Sequence, residues 1–129
     1  MIVVDSSALL CLLLGETEAE RVADALENSP RTVVAAPTLL EASIVAEARL
    51  GPRGLLNLQA AMHAAGIEVV AFTAEEAQVA GEAWRRFGRG RHPANLNFGH
   101  CISYATTVTH QASLLFVGDD FARTDVTVA

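Results

Sequence analysis

Short apolar runs alternate with helical segments along the whole chain, and this alternation restricts the fold more than any other feature of the sequence. Ile2-Val3-Val4-Asp5 reads as a buried strand ending on a carboxylate, and Ser6 to Leu14 as a helix closed by Gly15. Glu18 to Glu27 reads as an amphipathic helix, and Thr32 to Ala36 as a β-branched strand ended by Pro37. Leu39 to Leu50 reads as a helix stopped by Gly51-Pro52. A further helix spans Leu55 to Ala65, a strand Ile67 to Phe72, and a long helix Thr73 to Phe87, with Glu76 at the capping-box position. Gly88 to Asn97 is rich in glycine, proline and asparagine and reads as a loop. Phe98 to Val108 then reads as a helix, Leu114 to Val117 as a strand, and Val126 to Val128 as a short last strand. Strands separated by helices need crossovers, so the pattern predicts a three-layer α/β/α fold with a central parallel sheet, as one domain over residues 1–129. In such sheets the functional crevice lies at the carboxyl ends of the strands.

Composition removes several function classes. The longest apolar run, Ala8 to Leu14, has seven residues, whereas a membrane-spanning helix needs about 20. It follows an aspartate with no basic stretch before it, so it reads poorly as a signal peptide, and a cytoplasmic location is expected. Cys11 and Cys101 both sit among apolar residues and read as reduced, buried thiols. No Cys/His pair has the spacing of a zinc site. Fifteen acidic against nine basic residues give a net charge of -6, which argues against nucleic-acid binding by bulk electrostatics. An acidic metal site is compatible with that balance. All nine basic residues are arginine, which excludes a P-loop kinase and Schiff-base chemistry and counts against a phosphoacceptor receiver domain.

Two strands end on carboxylates, Asp5 after the first and Asp119-Asp120 after the one near residue 116. If those strands are neighbours, the carboxylates converge on one sheet edge, where a divalent cation removes their repulsion. Hard oxygen donors favour Mg²⁺ or Mn²⁺ over zinc. Each aspartate taken singly reads better as a helix cap, whereas a set meeting on one edge reads as a metal site. Thr38-x-x-Glu41 reads as a capping box, yet Glu41 also lies early in a helix that opens onto the same crevice.

Four segments in order resemble one known family. Val4-Asp5-Ser6-Ser7-Ala8-Leu9 is similar to the opening signature of PIN domains, and Thr38-x-x-Glu41 with its Ala-rich helix to their second acidic element. Leu96-Asn97-Phe98-Gly99-His100-Cys101 resembles a Leu-Asn-x-Gly-Asp-Cys segment of the VapC subgroup. Leu115-Phe116-x-Gly118-Asp119-Asp120-Phe121, followed by Thr124-Asp125, resembles that subgroup's last strand and tail. The resemblance implies a Mg²⁺-dependent ribonuclease toxin of a type II toxin–antitoxin pair, with Mn²⁺ as an alternative metal, cutting RNA such as tRNA or rRNA. It implies a VapB-type antitoxin partner and a homodimer. Carried over by position, Asp5 matches the first metal ligand, Glu41 the second acidic residue and Asp120 the fourth, with Asp119 as the fallback. Ser7 matches a hydroxyl that orients the first aspartate.

The third acidic position falls on His100, where the sequence departs from the family. Imidazole can ligate Mn²⁺ but suits Mg²⁺ poorly. Reduced activity is therefore expected, from a variant ligand, a degenerate toxin or an inactivating substitution, and a non-cleaving protein that mainly binds its antitoxin is the alternative. Arg85, Arg86, Arg89 and Arg91 form a basic cluster that reads either as RNA phosphate contacts or as a solvated helix end. Trp84 and Phe87 read as core or dimer contacts rather than base-stacking platforms, and Leu10, Leu13 and Leu14 as core in preference to an exposed antitoxin interface.

Overall fold

In the computed structural model, which describes residues 1–129, four short strands form a single parallel sheet. They are β1 (Ile2–Val4), β2 (Thr32–Ala35), β3 (Ile67–Val70) and β4 (Ser113–Leu115), in the order β3-β2-β1-β4. Ile2 lies opposite both Thr32 and Ser113, and Val4 opposite Leu115. The helices are α1 (Ser6–Leu14), α2 (Ala19–Glu27), α3 (Ala36–Leu50), α4 (Pro52–Ala64), α5 (Ala74–Phe87) and α6 (Phe98–Thr109).

The pleat of the strands divides the interior into two cores, because successive side chains point to opposite faces. Val4, Val34 and Leu115 enter one core with Leu9 of α1, Val22 of α2, Ala42 of α3 and Leu58 of α4. Val3, Val33 and Leu114 enter the other with Phe87 of α5, Cys101 and Tyr104 of α6, and Phe116 and Phe121 after β4. Four helices therefore cover one face and two cover the opposite face, which gives the expected three layers. α4 seats tightly on α3: a Cβ added at Gly54 would lie 2.3 Å from the Ala46 carbonyl oxygen.

Several boundaries depart from the sequence reading. α3 begins at Ala36, directly after β2, with Pro37 inside its first turn, where the missing N–H satisfies nothing in any case. The N-cap is Ala35, which makes no side-chain capping bond. Thr38-x-x-Glu41 is therefore not a capping box; the Thr38 hydroxyl is buried without a hydrogen-bond partner. α4 likewise starts at its proline, Pro52, rather than at Leu55. In place of a last strand over Val126 to Val128, Val128 alone bridges to Leu114.

The strand order fixes where chemistry can sit. From β1 the chain steps to β2 and β3 on one side, then returns to place β4 on the other side of β1. The direction of winding thus reverses between β1 and β4, and a crevice opens beyond the carboxyl ends of those two strands. Asp5 follows β1 there, and the segment from Phe116 to Phe121 follows β4.

Candidate functional site

Asp5 ends β1 and caps α1. It is only 2% exposed, and hydroxyl donors hold both of its carboxylate oxygens. Oδ2 accepts from Ser7 Oγ at 2.6 Å and from Ser7 N at 3.1 Å, while Oδ1 accepts from Ser103 Oγ at 2.6 Å. Ser7 Oγ also accepts from Val117 N at 3.0 Å, which links the cap of α1 to the segment after β4. Ser103 was not singled out from the sequence. The only signal for it is its place one turn after His100 on the same helix.

Glu41 lies in the second turn of α3, half-buried, with its carboxylate against the first turn of α6. A Cβ at Gly99 would fall 2.5 Å from Glu41 Oε2 and 2.9 Å from Oε1, so this approach requires glycine. His100 replaces the usual acidic partner of a capping box. Its Nδ1 accepts from Asn97 N at 3.2 Å, while its own N–H donates to Asn97 Oδ1 at 2.9 Å. With Nδ1 accepting, the ring proton sits on Nε2, which faces Asp120 Oδ2 at 3.5 Å. The buried Phe121 ring stands edge-on to the imidazole, with centroids 5.2 Å apart. The Asp119 side chain is exposed and makes no hydrogen bond, whereas Asp120 is the one turned toward α6.

Residues 99 to 103 of α6 therefore meet three carboxylates delivered by three different segments: Glu41 at Gly99, Asp120 at His100 and Asp5 at Ser103. These carboxylates do not close on a common point. No three His, Cys, Asp or Glu side chains stand near enough to share a metal ion. His100 Nδ1 is engaged by the helix cap, and both Asp5 oxygens already hold hydroxyls. As arranged, the donors do not fit a divalent cation with three side-chain ligands.

The arginine cluster divides. Arg86 pairs with Asp125 at 2.9 Å, its guanidinium lies over the Phe87 ring, and Asp125 also accepts from the Tyr104 hydroxyl at 2.6 Å. Burial and the bond to Asp125 push the Tyr104 phenol up to about 12, and that same bond leads in holding Asp125 below the usual carboxylate range. Arg86 thus ties the C-terminal segment to α5 and α6, a structural partnership that the RNA-contact reading did not include. Arg91 stacks on Trp84, whereas Arg85 and Arg89 are exposed and form no ion pair. Phe87 is core, as read, and Trp84 is 43% exposed. Leu10 and Leu13 pack against the core. Both cysteines are free and buried, and burial raises their thiols.

Residues 2–126 match the PIN domain family. The chain belongs to that family. Within it the resemblance to VapC proteins extends over nearly the full length. Ribonuclease VapC30 of Mycobacterium tuberculosis is 40% identical over 124 residues, which span 96% of this chain and 95% of the relative. Ribonuclease VapC of Mycolicibacterium smegmatis is 40% identical over 124 residues, spanning 96% of both chains. Among solved structures, M. tuberculosis VapC20, a Sarcin-Ricin loop cleaving toxin, superposes with a TM-score of 0.80 at 18% identity, covering 100% of this chain and 98% of that one. A toxin–antitoxin complex from Klebsiella pneumoniae gives 0.74 at 18% identity, covering 100% and 97%. These structural likenesses support the same three-layer PIN fold. No helix of the chain is long and apolar enough to cross a membrane.

Proposed function

We propose that this PIN-domain protein is an endoribonuclease toxin of the VapC kind, cleaving RNA such as tRNA or rRNA in the cytoplasm, with activity reduced by His100. The observation that carries the reading is the gathering of Asp5, Glu41 and Asp120 along residues 99–103 of α6 in a chain 40% identical to ribonucleases. In this reading Asp5 and Asp120 are the carboxylates that match the family's metal ligands by position, and Asp119 is a solvent-facing neighbour. Glu41 is the group suited to orient an attacking water and take its proton. Ser7 and Ser103 fix the rotamer of Asp5. Arg85, Arg89 and Arg91 supply the phosphate contacts.

The family resemblance implies Mg²⁺, with Mn²⁺ as the alternative, and such an ion would polarise the scissile phosphate. Because the donors do not close into a three-ligand set, no step is assigned through it. A VapB-type antitoxin is the proposed protein partner. A second copy of the chain is a further partner, for which Leu40 and Ile44, one turn apart on α3 and each 60% exposed, offer an apolar contact. The histidine at position 100, where the family has an acidic residue, keeps open a second reading, a PIN-fold protein that binds its antitoxin without cleaving.

Cleavage of total tRNA and rRNA in Mg²⁺ and in Mn²⁺ separates the two, using the chain, its His100→Asp variant and an Asp5→Ala control. The expected outcome is weak cleavage favoured by Mn²⁺, a marked gain in Mg²⁺ for His100→Asp, and none for Asp5→Ala. Equal cleavage by the first two would remove the impairment by His100. No cleavage by either would leave the binding reading, which co-purification with the antitoxin then checks.

A further inference from the structure

We infer that the apolar pocket beside α6 holds one unstacked nucleobase of the RNA substrate. The inference rests on the RNA-cleaving reading above. The pocket has a volume of about 690 Å³ and lies between the starts of α3 and α6 and the face of α5. Pro37, Phe72, Trp84 and Phe98 form much of its wall, and Arg89 and Asn97 supply polar groups. Its size falls within the range of roughly 300–1,000 Å³ usual for small-ligand sites.

Three observations specify the ligand chemistry. First, Phe98 is 84% exposed at the first position of α6, so its ring presents a flat apolar surface that the fold itself does not use. Second, Arg91 already stacks on Trp84, with the guanidinium 4.9 Å from the ring centroid, which is the kind of contact a planar base makes with the same aromatic surface. Third, Arg85 and Arg89 form no ion pair, and Arg89 lines the pocket, so unpaired cationic charge lies beside this apolar surface. A flat apolar group carried on an anionic backbone satisfies all three. Position adds a fourth argument. Asn97 and Phe98 directly precede Gly99 and His100, which meet Glu41 and Asp120, so a base seated here presents its neighbouring phosphates to those carboxylates.

Trp84 is the only tryptophan, and its fluorescence reports the pocket directly. The four nucleoside 5′-monophosphates are titrated against the protein, with ribose 5-phosphate as the phosphate-only control. The expected result is saturable quenching by at least one nucleotide and none by ribose 5-phosphate. Phe98→Ala, at an exposed position, weakens that affinity roughly tenfold, and Phe98→Leu by less. Quenching matched by ribose 5-phosphate, undiminished in Phe98→Ala or absent altogether overturns the inference. So does a dimer that shows no quenching and dissociates in Phe98→Ala by sedimentation, because the pocket is then covered by a second copy. Quenching is independent of cleavage. Base-dependent quenching without RNA cleavage retains the pocket and removes the ribonuclease reading, and cleavage without quenching does the reverse.

Discussion

Replacing Gly99 by alanine tests the placement of Glu41 without altering any acidic residue. The added methyl would lie 2.5 Å from Glu41 Oε2, and ordinary contact begins at 3.4 Å, so the carboxylate must withdraw by about 0.9 Å. The atom that yields is the far end of a flexible side chain, so the fold loses little. Exchanging glycine for alanine in a helix contributes up to about 0.5–1 kcal/mol of stability. The melting temperature therefore stays level or rises slightly. Catalysis is less forgiving, because a misplacement of about 1 Å at a reacting group costs about 10²-fold in rate, equivalent to ~2.7 kcal/mol of barrier. The assay is the initial rate of cleavage of a fluorogenic RNA alongside a thermal melt, for Gly99→Ala and for Glu41→Gln as the floor, each also in the His100→Asp background. An unchanged rate with an unchanged melt would refute the argument that the position of Glu41 matters. A lost rate accompanied by a large fall in melting temperature would show that Gly99 serves the fold instead.

Ser103→Ala leaves Asp5 Oδ1 buried without its hydroxyl donor, so urea unfolding should show a loss of about 1–3 kcal/mol. Gly54→Ala forces a methyl against the Ala46 carbonyl. It should cost roughly 1–3 kcal/mol in the same measurement while cleavage per folded molecule is unchanged. The Tyr104 phenol is raised from 10.0 to about 12 on folding, so its contribution is complete below pH 10 and is lost as pH rises through about 12. Tyr104→Phe should flatten the fall in melting temperature across that window. Asp125 is held low, so its contribution is lost as pH falls below the ordinary carboxylate value of 3.8, and Asp125→Asn should blunt that acid limb.

The three-layer architecture was legible because three of the four strands carry their own burial signal; β3, at the sheet edge, is half exposed. Val3-Val4, Val33-Val34 and Leu114-Leu115 are apolar on both faces, as strands covered on two sides must be. Asp5 was legible as a strand end followed by a cap, and Ser7 makes the bond to Asp5 that the family resemblance implied. Thr38 misled because Thr-x-x-Glu describes a cap only when the helix starts beside it. Here Pro37, taken as a stop, sits inside the first turn, and α3 starts at Ala36. His100 hid a second role because Asn97-x-x-His100 places an imidazole where a capping box normally has a carboxamide or carboxylate. Ser103 and the Arg86–Asp125 pair depend on contacts across 98 and 39 residues of chain, which no local spacing encodes.

The bonds around Asp5 also bear on the order in which the polypeptide is made. The Asp5 carboxylate is made well before its donor Ser103, and Ser7 is completed by the amide of Val117 further downstream. Arg21 of α2 waits for the same stretch, donating to the carbonyl of Phe116 at 2.8 Å. A chain interrupted anywhere before β4 thus lacks the strand that flanks β1, the Asp120 carboxylate and the amide that holds Ser7. Closure of the Asp5 carboxylate by its donors is therefore a late event, coupled to the docking of β4 and the segment after it.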